Sequence, residues 1–145
     1  MDFKVEYRVG VQASAERIWS FIVDLPSWSQ WNPLETEVDG AVAFGGQITL
    51  NEAIPGLPER RANVRVAQWE PYSQLVWTEK RGLFFNAVRY YEIDALGPTN
   101  CILANGIIFS GLRGEGFHDK NRRLIKPALA SVGEALRAAS EAAEA

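Results

Sequence analysis

The stretch from Gly116 to Ala145 constrains the fold more than any other part of the chain. Phe117, Leu124, Ile125, Ala128, Leu129, Val132 and Leu136 recur there at helical spacing and make one apolar stripe. Asp119, Lys120, Arg122, Arg123, Lys126, Glu134 and Arg137 fall between them and point elsewhere. Upstream, apart from one short helical interval, the sequence reads as strands and turns. A long amphipathic helix that follows a run of strands must bury its stripe against a sheet. Pro127 lies inside the stretch, where it removes the hydrogen bond to the Arg123 carbonyl and crowds that turn. A kink is expected there, or alternatively a junction of two helices. The alanine-rich end, Ala138 to Ala145, continues the helix and frays at its tip.

The strands follow from alternation. Phe3, Val5, Tyr7, Val9 and Val11 alternate with Asp2, Lys4, Glu6, Arg8 and Gly10, the period of a half-buried strand. Ser14 then caps a short helix over Ala15–Val23, which Leu25-Pro26 ends, and a second helical turn follows between Ser27 and Pro33. Further strands are expected over Leu34–Val38, Gln47–Glu52, Arg61–Trp69, Gln74–Lys80, Phe84–Ala95 and Cys101–Ser110. Short loops between them make antiparallel neighbours, and the helical interval carries the chain to the other edge of the sheet. Gly111, Gly114 and Gly116 loosen the backbone before the last helix, as a flexible junction or a lid.

Composition narrows the function classes. The chain has 145 residues, 47% hydrophobic and 23% charged, the profile of one soluble domain spanning residues 1–145. A net charge of −3 gives no footprint for nucleic acid. No apolar run approaches the length of a membrane span. The lone Cys101 excludes an internal disulfide and fits the cytoplasm, where it packs as a small hydrophobe. One His and one Cys, far apart, do not make a metal site, and no cofactor motif is present: the glycines of Gly111–Gly116 lack both the G-x-G-x-x-G order and the P-loop ending.

Four placed motifs carry a resemblance over essentially the whole chain. These are the opening Val9–Trp19, Trp28 with Trp31-Asn32-Pro33, Trp69-Glu70-Pro71 with Leu75-Val76-Trp77, and Phe109-Ser110-Gly111. In this order they resemble the START-like superfamily, also called SRPBCC or polyketide cyclase/dehydratase-like. The resemblance implies an α+β helix-grip fold: a curved antiparallel sheet of about seven strands wrapped around the C-terminal helix, with two short helices after the first strand. It also implies an elongated apolar cavity between sheet and helix. Members bind lipids, sterols, polyketides, hormones or quinones, and some cyclise or dehydrate aromatic polyketides. The expected partner is therefore a small hydrophobic ligand. The alternatives are a cyclase-type enzyme, or a co-chaperone-like interaction module with a closed cavity.

The resemblance implies that the aromatic residues Tyr91 and Phe109 face the helix, and the register that does so also turns Phe85, Arg89, Leu103, Asn105 and Ile107 inward. With Trp77, Phe117, Leu124, Ile125 and Leu129 they form the expected cavity wall. Asn121 sits one position off the centre of the stripe and points into the same space. Arg89 and Asn105 are the polar groups on this wall. Either they orient a carboxylate or carbonyl of a ligand, or Arg89 pairs with an internal acid, for which Glu52 and Glu37 are candidates. Trp28 and Trp31 pin the short helices to the sheet. His118 reads as a surface or cap residue; the alternative, a general base, needs an orienting partner, and Asp119 points about a third of a turn away from it. Lys120, Arg122, Arg123 and Lys126 read as a solvated face. The entrance flanked by Phe117, Asn121, Leu124 and Ile125, before Pro127, is where a site is expected.

Overall fold

A computed structural model describes residues 3–142. Asp2 and the last positions, Ala143 to Ala145, for which strand and helix are expected, lie outside them. The elements in order are β1 (Lys4–Val11), α1 (Ala15–Val23), a 3-10 turn (Leu25–Ser27), α2 (Trp28–Trp31), β2 (Glu35–Gly40), β3 (Gln47–Glu52), β4 (Arg60–Glu70), β5 (Gln74–Gly82), β6 (Phe85–Gly97), β7 (Asn100–Ser110) and α3 (Leu112–Glu141). The strands form one open sheet in the order β1-β7-β6-β5-β4-β3-β2, with antiparallel neighbours throughout. The interval containing α1 and α2 joins the two edges, as the sequence requires. Register irregularities between Thr36 and Asp39, Val66 and Gln68, Lys80 and Gly82, and Ala95 and Gly97 bend the strands so that the sheet can grip α3.

The inward register of the last two strands is the one expected. Arg89 pairs with Ile107 and Tyr91 with Asn105, and the rows containing them are buried. On the opposite face Tyr90 lies across Gly106, where an added Cβ would come 2.2 Å from the tyrosine hydroxyl oxygen. Helix α3 covers β1 and β7. Ile125, Leu129, Val132 and Leu136 are completely buried beneath it, worth on the order of 8 kcal/mol of apolar transfer at about 2 kcal/mol each. Side chains of α3 also occupy the free edge of β1. Lys126 donates to the Glu6 carbonyl, and Glu141 Oε2 accepts from the Gln12 amide at 2.7 Å. An edge covered in this way is a poor template for pairing with another strand. In return Arg17 of α1 donates through Nε to the Ser140 carbonyl at 3.0 Å, satisfying a group at the end of α3.

Several expectations change. Helix α3 begins at Leu112 instead of Gly116, so Gly114 and Gly116 are helical and only Gly111, at φ +83°, belongs to a junction. The cause is Phe84: its carbonyl accepts from the amides of Arg113 (3.0 Å) and Gly114 (3.3 Å) and fixes the first turn. Pro127 stands within a single continuous helix, not between two. The buried face of the first half of α3 runs through Gly114, His118 and Asn121, while Leu124 is more than a third exposed. His118 is therefore buried and not superficial. Its Nδ1 lies 3.0 Å from Asp119 Oδ1, since the exposed Asp119 side chain folds back toward it. No helix among the described residues is long and apolar enough to cross a membrane.

Candidate ligand-binding site

The Trp31-Asn32-Pro33 turn organises the polar part of the interior. Asn32 Oδ1 accepts from the amides of Leu34 and Glu35, both at 2.9 Å, and this turns Glu35 inward at the start of β2. Glu35 is almost fully buried and faces Arg89. Arg89 Nε and Nη2 donate to Glu35 Oε2 and Oε1 at 3.2 and 3.0 Å. Its Nη2 also reaches the Tyr91 hydroxyl at 2.9 Å, and Nη1 reaches the carbonyls of Tyr90 (3.2 Å) and Gly106 (3.1 Å). A guanidinium has five N–H donors, and all five are used. Tyr91 in turn donates to Glu35 Oε1 at 2.5 Å and accepts from Asn32 Nδ2 at 3.1 Å. Burial first, then the adjacent carboxylate, holds its pKa well above the ordinary phenol value.

The acid paired with Arg89 is thus Glu35, neither of the two expected. Glu37 follows a bulge, is exposed and sits 3.5 Å from Arg61. Glu52 is held by Arg60 at 3.1 Å. Asn105, also fully buried, donates Nδ2 to the Leu129 carbonyl at 3.1 Å, and its Oδ1 has no partner among the described residues.

Further along the same concave face lies a second charged group. Arg60 is bidentate to Glu79 at 2.7 and 2.6 Å and also holds Glu52. Burial works against its charge, but the two carboxylates outweigh it and raise its pKa. Arg81 follows Glu79 at strand spacing on β5. Among the described residues it makes no ion pair, because both nearby acids are taken by Arg60. Its guanidinium instead lies 4.8 Å from the ring of Phe85 and 4.7 Å from that of Phe117. Burial, and after it the charge of Arg60, lowers its pKa from the ordinary arginine value.

Two spaces lie near this cluster. The inner one, lined by Trp77, Arg89 and Ile107 with Arg60, Glu79 and Arg81, holds about 20 Å³. That is room for about one water molecule, so the elongated apolar cavity implied by the resemblance is nearly closed here. The outer one is a groove of about 840 Å³ between α3 and the loop before β4. Phe85, Phe117, Asn121 and Leu124 line it together with Leu57, Arg113 and Lys120. Arg81 lines the inner space, and the two phenyl rings it lies against line the groove. Of the expected site residues, Phe85, Phe117, Asn121 and Leu124 therefore meet at the groove, and Trp77, Arg89 and Ile107 at the inner space. Tyr91 is engaged by Glu35, while Leu103, Phe109, Ile125 and Leu129 are closed into the core. His118 lines a different groove, beside Lys4, Glu6 and Arg122. The alternation of Leu75 and Trp77 on β5 carries the signal for Arg81, since two further steps of two reach it. Among the described residues no cluster of three His, Cys, Asp or Glu is placed to hold a metal ion.

No protein-family model matches the sequence, and no curated protein is similar to it. Solved structures are. A START superfamily protein from Mycobacterium smegmatis is 23% identical with a TM-score of 0.75, over 95% of this chain and 97% of that one. The Zhui aromatase/cyclase from Streptomyces sp. R1128 is 15% identical with a TM-score of 0.74, over 95% and 93%. Norcoclaurine synthase from Thalictrum flavum, in complex with dopamine and hydroxybenzaldehyde, is 12% identical with a TM-score of 0.67, over 97% and 88%. With an open seven-stranded antiparallel sheet gripping a long C-terminal helix, and near-complete overlap with these structures, the chain has the START-like helix-grip fold.

Proposed function

We propose that this protein, acting as a single cytoplasmic domain, binds a small amphipathic ligand with an anionic group in the groove at the start of α3. Phe85, Phe117, Leu57 and Leu124 would contact its apolar body, and Asn121 its polar substituents. Arg81 would hold its anionic end. The observation that carries the reading is Arg81 itself: a largely buried cation with no ion pair among the described residues, lying against two aromatic rings that line the open groove. A desolvated guanidinium without an anion is costly, and a ligand carboxylate or phenolate would relieve that cost. A closed interior alone would suit an interaction module equally well; Arg81 favours a ligand. The groove lining contains no His, Tyr or carboxylate among the described residues, which favours binding over proton transfer. Two structural neighbours, an aromatase/cyclase and a synthase holding dopamine and hydroxybenzaldehyde, support an aromatic or polycyclic ligand body.

The test is a competition assay against the anionic fluorophore 8-anilinonaphthalene-1-sulfonate. Pairs of competitors should share one apolar body and differ in a carboxylate or an alcohol. The carboxylate is expected to bind about 10- to 100-fold more tightly, the worth of one charge-assisted hydrogen bond. Arg81→Met should erase that difference while melting no lower than the parent, since it removes an unpaired, desolvated charge. Equal affinity of the parent protein for both competitors would overturn the proposal.

A further inference from the structure

Leu83, Phe84 and Leu112 are 67%, 63% and 79% exposed, a concentration of large apolar side chains in water. They belong to one projection. Phe84 adopts φ +56°, a conformation that costs a bulky residue energy, and its carbonyl receives the amides of Arg113 and Gly114. That link ties the turn between β5 and β6 to the first residues of α3. At Gly111 an added Cβ would sit 2.3 Å from the Phe84 carbonyl oxygen, so the backbones are in direct contact. The strain buys a rigid tip that presents three apolar side chains outward instead of folding them away.

The base of this tip is cationic. Lys80 precedes the turn, Arg113 lies over Gly82, and Lys120 follows two turns along α3, with Glu115 and Asp119 as the acids on that stretch. Arg113 and Lys120 also line the groove, so tip and groove are continuous. We propose that this tip docks the protein on an anionic membrane surface, Leu83, Phe84 and Leu112 entering the acyl boundary while Lys80, Arg113 and Lys120 meet the headgroups. Apolar side chains ringed by cations are the chemistry such an interface selects. A second copy of the chain fits less well. Three side chains fall far short of the roughly 800 Å² per partner of a stable dimer, and a symmetric contact would oppose like charges. The molecule as a whole carries −3, so an anionic surface attracts it only through a locally cationic face such as this one. Docked in this way, the groove opens toward the bilayer. That last consequence rests on the ligand-binding reading; the docking does not.

The experiment is flotation of the full chain with vesicles of phosphatidylcholine alone and of phosphatidylcholine mixed with phosphatidylglycerol, at low and high salt. Binding to the anionic vesicles is expected, weakened by salt and by neutral lipid. The variant Leu83→Ser/Phe84→Ser/Leu112→Ser should lower partitioning at least about tenfold, and Lys80→Glu/Lys120→Glu should do the same with the apolar tip intact. Leu96→Ser, an exposed apolar residue at the opposite end of β6, should change nothing. Circular dichroism melts show whether each variant is folded, and the Lys80/Lys120 pair keeps the test decisive if the triple variant is not. Absence of binding by the parent, equal binding to neutral vesicles, or concentration-dependent dimerisation that Leu83→Ser abolishes would each overturn the proposal. None of these results bears on the competition assay at Arg81.

Discussion

Replacing Glu35 by Gln tests the account of the interior most sharply. The side chain keeps its shape, so no cavity is made, but the charge facing Arg89 disappears. In the parent, two Arg89 hydrogen bonds at 3.2 and 3.0 Å and the Tyr91 hydroxyl at 2.5 Å converge on this carboxylate. The amide retains one acceptor oxygen and brings an NH₂ group against donors that need acceptors. Arg89 is then a buried cation without a counter-charge, a state that costs about 3–5 kcal/mol. In a domain of this size each kcal/mol moves the melting temperature by about 2–4 °C, so a fall of roughly 6–20 °C is expected. The companion variant Glu35→Gln/Arg89→Met removes both charges and should recover most of that loss, because a buried pair is near neutral against an apolar substitute. Thermal and urea denaturation of the parent, both single variants and the double variant give the coupling energy. A Glu35→Gln cost below about 1 kcal/mol, or a double variant as unstable as the sum of the singles, would refute the claim that the pair is dry and mutually dependent.

Two other perturbations read different parts of the structure. Gly106→Ala sets a Cβ 2.2 Å from the Tyr90 hydroxyl oxygen and 2.8 Å from the Val5 carbonyl oxygen, so overpacking of about 1–3 kcal/mol is expected in denaturation, partly recovered when Tyr90 is also truncated. At Glu6 burial pulls the carboxyl pKa up, but the hydrogen bond from Tyr90 and the charges of Lys4 and Arg8 outweigh it and leave the pKa below the ordinary 4.5. A carboxyl lowered on folding adds stability that is present above 4.5 and lost as pH falls through the folded value. The gap in stability between the parent and Glu6→Gln, no more than about 1 kcal/mol for a partly exposed group, should therefore shrink in urea titrations as the pH drops below 4.5; a constant gap would refute the assignment.

What the sequence disclosed follows from how local each signal is. Alternation in β6 and β7 puts Arg89, Tyr91 and Asn105 on one face, because a period of two needs only neighbouring residues, and the family resemblance indicates that this face is the inner one. The helical stripe from Ile125 to Leu136 was equally legible. The partner of Arg89 was not, since Glu35 turns inward through Asn32, a side chain capping its own turn within the Trp-Asn-Pro motif. Motif recognition marked the turn without revealing the carboxylate it aims. The start of α3 was hidden for a related reason. Three glycines at Gly111, Gly114 and Gly116 argue against a helix, and the carbonyl that overrules them comes from Phe84, 28 residues upstream. Arg81 was within reach of the alternation through Leu75 and Trp77. Its importance lies in what Arg60 takes from it, and competition for two carboxylates is a three-dimensional fact.

The three inward arginines show why the groove, and not the inner wall, is where a ligand belongs. Arg89 spends all five donors inside the protein, and a ligand could reach it only by breaking a pair whose loss costs several kcal/mol. Arg60 is held by two carboxylates through four hydrogen bonds. Arg81 has the same charge and a burial comparable to that of Arg60, yet among the described residues only the faces of Phe85 and Phe117 to offset it. A cation–π contact is worth about 0.5–2 kcal/mol, less than an ion pair returns to a desolvated guanidinium. The least compensated cation is also the one that lies against the two rings lining the open groove. A ligand anion arriving through that groove meets the one arginine of the three whose stability its binding would improve.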